Sequence, residues 1–257
     1  MDDPVINPFC DPAAALRYAA SRPAFHDIVM DQLVSLTGVP HFQRALDLGC
    51  GTGQSTRPLA TIADEVLGID SSAAMLAAAE PAERVTYQQA SAEQIPAPEA
   101  WFDLVTAGLA WHWFTAATSL REVARVLRPG GWLAIYNSAF TGRLLEDPGC
   151  AVWMQTEYLN RFPPPPRNAR GLTSEFASAS GFESFQETGF EHTARMTNEQ
   201  LVAYLTTQSN ILTPIDLGVC TLAEVHCWLA ASLSPFFSGE SRTAMFSGRL
   251  MLMRRSD

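Results

Sequence analysis

The stretch ALDLGCGTGQST, residues 45–56, decides the fold because it joins an apolar run to a turn built on alternate glycines. Gly49, Gly51 and Gly53 follow the run ALDL, which carries one acidic residue, Asp47. Glycine adopts left-handed backbone conformations at little steric cost and lets a ligand approach the main chain closely. Glycine turns after buried strands are common seats for nucleotide-like ligands. The stretch therefore predicts a ligand-binding loop at the end of a strand.

The segments that follow this loop alternate between strand-like and helix-like patterns until about residue 140. A helix is expected over 54–62, and the last part of the chain predicts a bent strand or strand pair over 182–194. Strands that are apolar on both faces and alternate with helices indicate a parallel sheet in a doubly wound α/β fold. The predicted strands up to residue 140 are RALDL (44–48), EVLGID (65–70), RVTYQQ (84–89), WFDLVTAGL (101–109) and WLAIYNS (132–138).

Three interpretations of the glycine loop compete before other motifs are considered. A phosphate-binding P-loop ends in Gly-Lys-Ser/Thr, and the sequence GTGQST has no lysine. The dinucleotide fingerprint G-x-G-x-x-G places a glycine where this chain has Gln54. The third interpretation is a structural turn without a ligand. Neither phosphate-binding pattern fits the loop well, a structural turn remains open for the loop alone, and the segments after it must decide.

Four later segments occur in the order of the motifs of one enzyme family. They are GIDSSAAM (68–75), QQASAEQIP (88–96), FDLVTAGLAWHWF (102–114) and REVARVLRPGGWLAIYN (121–137). Together with LDLGCGTGQST they resemble class I S-adenosylmethionine-dependent methyltransferases, in particular the type 11 and trans-aconitate methyltransferase-like enzymes that act on small molecules. The resemblance covers about residues 12–140. It implies a Rossmann-like, mostly parallel seven-stranded sheet with an antiparallel last strand and a helical insertion, and S-adenosylmethionine as cofactor.

The resemblance also implies which residues contact the cofactor. Asp47 would organise its ammonium group, the glycines would seat its methionine part, and Asp70 would take the ribose hydroxyls. An acid about 20 residues past a glycine loop suits a hydroxyl pair independently of the resemblance, because a carboxylate has two acceptor oxygens. Tyr18 and Arg22, in the segment YAASRP, would close over the cofactor. The full set is Tyr18, Arg22, Asp47, Gly49, Cys50, Gly51, Gly53, Asp70, Ser71, Met75, Ser91, Ala92, Glu93 and Ala107.

The acceptor of the methyl group is less defined by the sequence. Family members that act on amide or base nitrogens often carry Asn/Asp-Pro-Pro-aromatic after the fourth strand, and this chain has AGLAWHWF there. His112 is either a general base or a packed histidine. Trp111 and Trp113 are candidates for the pocket wall, and Arg143 is a candidate for binding a carboxylate. No cluster with metal-ligand spacing occurs in the sequence.

Composition limits the partners that we expect. The net charge is −10 and no run of basic residues occurs, which argues against nucleic acids and anionic membranes. Five cysteines without a CxxC pair favour reduced thiols in the cytoplasm, and the acidic N-terminus does not resemble a signal peptide. We expect a monomer or homodimer that acts on a small molecule.

The expected organisation is an N-terminal helical cap over the cofactor site (1–38) and a Rossmann-like domain (39–257). The latter would contain an acceptor-side insertion at about 141–180 and helical segments at about 197–235. The predicted function is methyl transfer to a small organic acceptor at a carboxylate or hydroxyl oxygen. The alternative is a regulatory or partner module that binds S-adenosylmethionine without transferring its methyl group.

Overall fold

The structure, a computed structural model, describes residues 11–164, 172–239 and 241–256. Within these ranges the strands are β1 Phe42–Leu48, β2 Ala63–Asp70, β3 Val85–Gln89, β4 Phe102–Gly108, β5 Leu127–Leu144, β6 Phe182–Met196 and β7 Arg242–Arg255. The helices up to β6 are α1 Pro12–Ser21, α2 His26–Thr37, α3 Thr56–Leu59, α4 Ala73–Ala77, α5 Ala116–Val126, α6 Gly149–Trp153, α7 Leu159–Arg161 and α8 Ser174–Ala179. The helices between β6 and β7 are α9 Asn198–Leu205, α10 Ser209–Asp216 and α11 Leu222–Phe237. A 3₁₀ turn covers Trp111–Trp113, and a π-helical segment covers Met154–Tyr158.

The strands form one sheet with the order β3-β2-β1-β4-β5-β7-β6. The pairs β1–β2, β2–β3, β1–β4 and β4–β5 are parallel. Strand β7 lies between β5 and β6 and runs antiparallel to both. The predicted mostly parallel, seven-stranded α/β sheet is therefore confirmed. Because β1 has β2 on one side and β4 on the other, the strand order reverses at β1, and such a switch point is where open α/β sheets bind ligands.

The chain divides into two compact units. One, here called the glycine-loop unit, comprises Ala24–Asn137 with 172–190 and 248–256 among the described residues. The other, here called the helical unit, comprises 11–23, 138–164 and 191–247 apart from residue 240. The predicted N-terminal segment 1–38 is thus divided between the units after Pro23, and its first ten residues lie outside the described ranges, as do 165–171 of the predicted insertion.

Both faces of the sheet in the glycine-loop unit are covered by core side chains. Leu46, Val105 and Leu133 belong to one buried cluster, whereas Ala45 and Leu104 belong to the other. Adjacent residues alternate between the two clusters because successive side chains of a strand point to opposite faces. A separate buried cluster fills the helical unit. This packing is that of a doubly wound sheet and explains why the strands are apolar on both faces.

Two local predictions differ from the structure. The helix expected over 54–62 is reduced to α3, because the bonds after it run from Thr61 N–H to the Pro58 carbonyl and from Ile62 N–H to the Leu59 carbonyl, which is 3₁₀ geometry. The strand or strand pair expected over 182–194 is the single strand β6.

Candidate cofactor site

The carboxyl ends of four parallel strands meet at one edge of the sheet. Asp47 of β1 pairs in register with Gly68 of β2 and with Thr106 of β4, and Asp70 of β2 pairs with Gln89 of β3. The loops that follow these strands therefore leave the sheet side by side. They carry the predicted site residues of the glycine-loop unit, from Gly49 to the turn at Trp111–Trp113. The structure thus assembles at one edge motifs that are spread over more than sixty residues of sequence.

The three glycines of the loop all have left-handed backbone conformations. Their φ values are +65° at Gly49, +53° at Gly51 and +81° at Gly53. Space is also lacking for side chains: a Cβ atom on Gly49 would lie 2.5 Å from the Cβ atom of Ala110, and one on Gly53 would lie 2.1 Å from the Tyr87 hydroxyl. Real Cβ atoms essentially never approach other atoms this closely. Both the backbone conformation and the packing therefore require glycine in the loop.

Asp47 lies beneath the loop and is fully buried. One carboxylate oxygen accepts hydrogen bonds from Ser55 Oγ at 2.6 Å and Thr56 Oγ1 at 2.8 Å, and the other accepts from Thr106 Oγ1 at 2.9 Å. Burial raises the pKa of Asp47 to about 6, and the three hydroxyl groups oppose that rise. Asp47 thus ties β1 to the start of α3 and to β4, so it holds the frame of the loop.

Asp70 holds the loop from the neighbouring strand. Its Oδ2 accepts the Gly51 N–H at 2.9 Å, and its Oδ1 accepts the Ser72 N–H at 2.8 Å. Burial raises the pKa of Asp70, whereas the two N–H groups lower it. In contrast to Asp47, this side chain is only partly buried, and each oxygen has a further lone pair. The carboxylate can therefore accept ligand hydroxyl groups while it maintains the turn.

The other predicted residues around the loop are Cys50, Met75 and Ser71. Cys50 is buried, and its thiol pKa is raised by burial and by the nearby carboxylates of Asp47 and Asp70, which keeps the thiol neutral. Met75 is buried, and its Cε atom would be 2.9 Å from a Cβ on Gly51. Ser71 is exposed, and its carbonyl accepts a hydrogen bond from Gln89 Nε2 at 3.0 Å.

The segment Ser91–Ala92–Glu93 forms a tight turn after β3. The Ser91 hydroxyl donates to Glu93 Oε2, and Glu93 Oε1 accepts from the Thr115 N–H at 2.8 Å and the Ser119 hydroxyl at 3.3 Å. Burial raises the Glu93 pKa, but these donors together outweigh it, so that the pKa is lowered. Ala92 is buried in the core. Because Thr115 precedes α5, Glu93 joins the turn to the start of that helix.

A second set of contacts between α5 and the segment after β3, here called the clamp of Glu122 and Arg125, was not anticipated from the sequence. The Arg125 guanidinium donates to the carbonyls of Ile95 at 2.9 Å and Ala97 at 2.7 Å. It also pairs with Glu122, whose carboxylate accepts the Ile95 N–H at 2.9 Å. Glu122 and Arg125 are three residues apart on α5, and this spacing on a helix was the available signal. The clamp fixes the backbone of 91–97 against α5.

The end of β4 carries the residues predicted to face the methyl group and the acceptor. Ala107 is fully buried, and Leu109 has a φ of +58°, which is strained for a branched residue. His112 is exposed, and its ring centroid lies 4.9 Å from that of Trp113. Trp111 is half-buried and packs edge-on against Phe114 at 5.8 Å. His112 is therefore not a core histidine.

Tyr18, Arg22 and Arg143 belong to the helical unit. The Arg22 guanidinium lies over the Tyr18 ring at 4.5 Å, and Arg143 is exposed. Their assignment to the cofactor and the acceptor remains a prediction. Among residues 11–164, 172–239 and 241–256, no three His, Cys, Asp or Glu side chains are grouped to hold a metal ion. None of the helices in these ranges is long and apolar enough to span a membrane.

Comparison with known proteins identifies the fold and family. A methyltransferase domain model matches residues 46–135. An uncharacterised methyltransferase of Mycobacterium tuberculosis is 30% identical over 217 residues, which cover 83% of this chain and 82% of the relative. A malonyl-[acyl-carrier protein] O-methyltransferase of Enterobacter lignolyticus is 41% identical over 106 residues, which cover 40% of this chain and 42% of the relative.

A solved structure from Anaeromyxobacter dehalogenans, assigned as a type II methyltransferase, superposes with a TM-score of 0.68. It is 25% identical, and the alignment covers 92% of this chain and 98% of that one. The matched domain model contains the glycine loop, Asp70 and the turn at Ser91. The chain belongs to the class I S-adenosylmethionine-dependent methyltransferases, and it is an enzyme that uses S-adenosylmethionine as its cofactor.

Proposed function

We propose that the enzyme transfers the methyl group to an oxygen atom of a small organic acceptor. The observation that carries this proposal is the arrangement at the carboxyl edge of the sheet. There the glycine loop, Asp70 and the turn at Ser91 lie on adjacent strands, next to the turn at Trp111–Trp113. An edge of this form holds a cofactor on one side and leaves the end of β4 for the acceptor.

The proposed cofactor seat uses the residues that the family motifs name. Gly49, Gly51 and Gly53 offer main chain without side chains to the methionine part, and Asp70 accepts the ribose hydroxyls. Ser91, Ala92 and Glu93, whose backbone is held by α5, border the adenine with Ser71 and Met75. Asp47 and Cys50 support the loop from beneath, and Ala107 ends the strand that faces the methyl group. Tyr18 and Arg22 remain candidates for closing the cofactor site.

Oxygen is the proposed acceptor atom for two reasons. The segment after β4 is AGLAWHWF, which lacks the Asn/Asp-Pro-Pro-aromatic motif that is frequent among methyltransferases of amide and base nitrogens. In addition, one relative over 106 residues is named as a malonyl-[acyl-carrier protein] O-methyltransferase. A carboxylate acceptor is already a nucleophile and needs no base, whereas a hydroxyl acceptor must lose a proton.

S-adenosylmethionine supplies the methyl group on a positively charged sulfur, which is a good leaving group. The protein must therefore align the acceptor, exclude water and, for a hydroxyl, remove its proton. His112 is the candidate base, because it is exposed at the end of β4, where a proton can be taken from a bound acceptor. Trp111 and Trp113, on either side, are candidates for the wall that excludes water. Arg143 is a candidate for binding an acidic acceptor.

We propose a cytoplasmic monomer or homodimer without a nucleic-acid or membrane partner. The four cysteines in the described ranges are free, as expected in a reducing compartment, and the net charge of −10 disfavours polyanions. We also propose that the N-terminal helices form part of a cap and that 141–180 contributes to the acceptor side.

The test is calorimetric titration followed by a transfer assay. S-adenosylhomocysteine should bind the full chain, and a panel of carboxylic acids, phenols and amines should then be incubated with methyl-labelled S-adenosylmethionine. The expected product is a methyl ester or ether detected by mass spectrometry. Label found only on the amines would contradict the oxygen acceptor. Label found on none of the three classes would contradict a small-molecule acceptor within them.

A further inference from the structure

A groove lies at the edge of the sheet opposite the glycine loop, wholly within the glycine-loop unit. It has a volume of about 540 Å³ and is bordered by the amino ends of parallel strands. Arg44 lies near the start of β1, Glu65 near the start of β2, and Trp101 directly before β4. Arg44 and Gly49 lie near opposite ends of β1, roughly 16 Å apart at the rise of an extended strand. A cavity of this size is within the range of small-molecule sites.

The groove exists because no helix covers this part of the sheet. The connection from β3 to β4, residues 90–101, is described in full and forms only turns, an isolated bridge and irregular chain. In contrast, α3, α4 and α5 make the neighbouring connections. The paired residues Leu67 of β2 and Thr86 of β3 therefore stay half-buried and exposed, respectively, on the floor of the groove.

The wall beside this floor is held in place by α5. The Trp101 N–H donates to the Val126 carbonyl at 2.7 Å, and the Ala97 carbonyl accepts from Arg125 at 2.7 Å. Prolines on both sides of Ala97 also restrict the backbone of the wall. Because the wall is already ordered, a ligand that binds to it loses little affinity to ordering of the protein.

Two arginines of the groove have hydrogen-bond donors without acceptors. The Arg44 guanidinium lies on the Trp101 ring, 4.0 Å from its centroid, and its Nε donates to Glu65 at 3.3 Å. Its terminal nitrogens, and the whole side chain of Arg84, form no hydrogen bond to the residues that the structure describes. The groove thus presents two guanidinium groups and one carboxylate, although the chain has 27 acidic and only 17 basic residues. This local charge favours an anionic ligand.

The backbone of Arg84 adopts a conformation that its side chain disfavours. Its φ is +65°, in the left-handed region where residues other than glycine are uncommon. The Arg84 carbonyl accepts the Val66 N–H at 2.8 Å, which fixes this backbone beside β2. The side chain is exposed, so core packing does not offset the strain. Strain at an exposed position that lines a groove indicates a role for the side chain in binding a ligand.

We propose that this groove binds a small, planar aromatic molecule that carries an anionic group. The anionic group, a phosphate, sulfonate or carboxylate, accepts hydrogen bonds from the guanidinium groups of Arg44 and Arg84. The aromatic ring packs on the floor and against Trp101, which is 41% exposed. The inference goes beyond the proposed function, because the groove lies at the other edge of the sheet and its ligand is not the methyl acceptor.

The test is calorimetry on the full chain saturated with S-adenosylhomocysteine, which keeps adenine compounds out of the glycine loop. Adenosine monophosphate and uridine monophosphate are titrated as nucleotides, and naphthoate and naphthalenesulfonate as aromatic anions of another source. Adenosine, uridine and naphthalenemethanol are the neutral controls. We expect at least one anion to bind with a Kd below about 1 mM and its neutral counterpart to bind about tenfold more weakly or less.

Three variants locate the bound anion. Arg84→Gly removes the guanidinium but suits the positive φ, so it should weaken the anion by about tenfold or more while the urea midpoint of unfolding stays equal to or above that of wild type. Trp101→Leu keeps an apolar side chain without the ring and should weaken the anion by about threefold or more. Arg249→Gln removes an exposed arginine of the same unit that does not line the groove, and it should leave binding unchanged.

Binding of only the nucleotides, or of only the naphthalene anions, would support the proposal and identify the source of the ligand. The absence of anion binding to wild type would overturn the proposal, as would neutral controls that bind equally well or equal losses in Arg84→Gly and Arg249→Gln. Anion binding that S-adenosylhomocysteine abolishes would assign the anion to the glycine loop. A dimer that Trp101→Leu dissociates, without anion binding, would assign the groove to a second copy of the chain.

The outcome for the groove is distinguishable from that for the proposed function. If the wild-type protein binds no S-adenosylhomocysteine, the proposed function has failed. The same titrations of the unsaturated protein and of Arg84→Gly, Trp101→Leu and Arg249→Gln then still decide whether the groove binds an aromatic anion.

Discussion

The charged groups of the glycine loop and of the Arg22 cluster, here Arg22 with Tyr18, Tyr204 and Thr207, are held in opposite ways. At the loop, both oxygens of Asp47 and of Asp70 accept hydrogen bonds from the protein itself. At Arg22, the guanidinium has one carbonyl acceptor, and its Nε is buried without a partner. The carboxylates of the loop thus have hydrogen-bond partners within the protein. The guanidinium of Arg22, in contrast, has a buried donor without an acceptor among the described residues.

The difference lies in what the hydrogen bonds of each region hold in place. The loop must keep three glycines in left-handed conformations, and the carboxylates of Asp47 and Asp70 hold that backbone by accepting hydrogen bonds. Under the proposed function, the cofactor would meet mainly main-chain atoms there. The guanidinium of Arg22 is held by stacking on two aromatic rings and by one hydrogen bond to the Thr207 carbonyl. Its buried Nε has no acceptor among the described residues.

The largest expected effect is that of Gly49→Ala. The left-handed backbone costs an alanine about 1 kcal/mol and the clash with Ala110 adds about 2 kcal/mol, so the unfolding free energy should fall by about 3 kcal/mol. Gly38→Ala is the matched control, because Gly38 has a φ of +67° and nothing within 4 Å of its Cβ position. Denaturant titration should give Gly49→Ala a clearly larger loss of stability. Equal losses would show that close packing of the loop is not required.

The next effect concerns Asp47 and pH. Burial raises its pKa to about 6 in the folded chain from 3.8, so the unfolded chain releases its proton first and stability falls as pH rises from about 4 to 6. Asp47→Asn does not titrate. Its unfolding free energy relative to wild type should therefore increase by about 3 kcal/mol between pH 3 and 7.

Urea titrations of both proteins at several pH values measure this difference. Asp31→Asn, which removes a carboxylate from the exposed face of α2, is the control. Parallel pH curves for wild type and Asp47→Asn would show that ionisation of the buried Asp47 does not lower the unfolding free energy.

A smaller effect is expected at Glu93, which connects the turn at Ser91 to the start of α5. Glu93→Ala removes the acceptor of the Thr115 N–H and the Ser119 hydroxyl, and loss of such a cap costs about 1 kcal/mol. Hydrogen exchange should become faster in the first turn of α5 and at 91–97, while β1 stays protected. Glu83→Ala, an exposed acid before β3, is the control. Unchanged exchange in α5 would contradict the connection.

The sequence was sufficient for the fold and for the position of the glycine loop because their signals are local. The strand periodicity, the glycine spacing and Asp70 each lie within a few residues of the element they define. Propensity was less informative at 54–62, where the chain tightens into 3₁₀ turns after a single turn of helix. The clamp of Glu122 and Arg125 was visible as an i,i+3 pair, but its target, the backbone at 95–97, was not.

The Arg22 cluster could not be assembled from the sequence. Its members come from distant parts of the chain: Arg22 and Thr207 are 185 positions apart, and no periodicity links them. The YAASRP motif identified Tyr18 and Arg22 through a family resemblance, yet neither Tyr204 nor Thr207 has a motif around it. Within the part of the chain that the structure describes, Arg22 forms no ion pair, which the acidic composition would not suggest.

The most direct test of the proposed cofactor seat is a side-by-side titration of S-adenosylhomocysteine into wild type, Asp70→Ala and the control Asp31→Asn. We predict that Asp70→Ala weakens binding by about tenfold or more, equivalent to about 1.4 kcal/mol, because it removes both a hydroxyl acceptor and a support of the loop. Asp31→Asn, at an exposed position on α2, should bind within about twofold of wild type. Unchanged affinity in Asp70→Ala would contradict the assignment of the glycine loop and Asp70 to the cofactor.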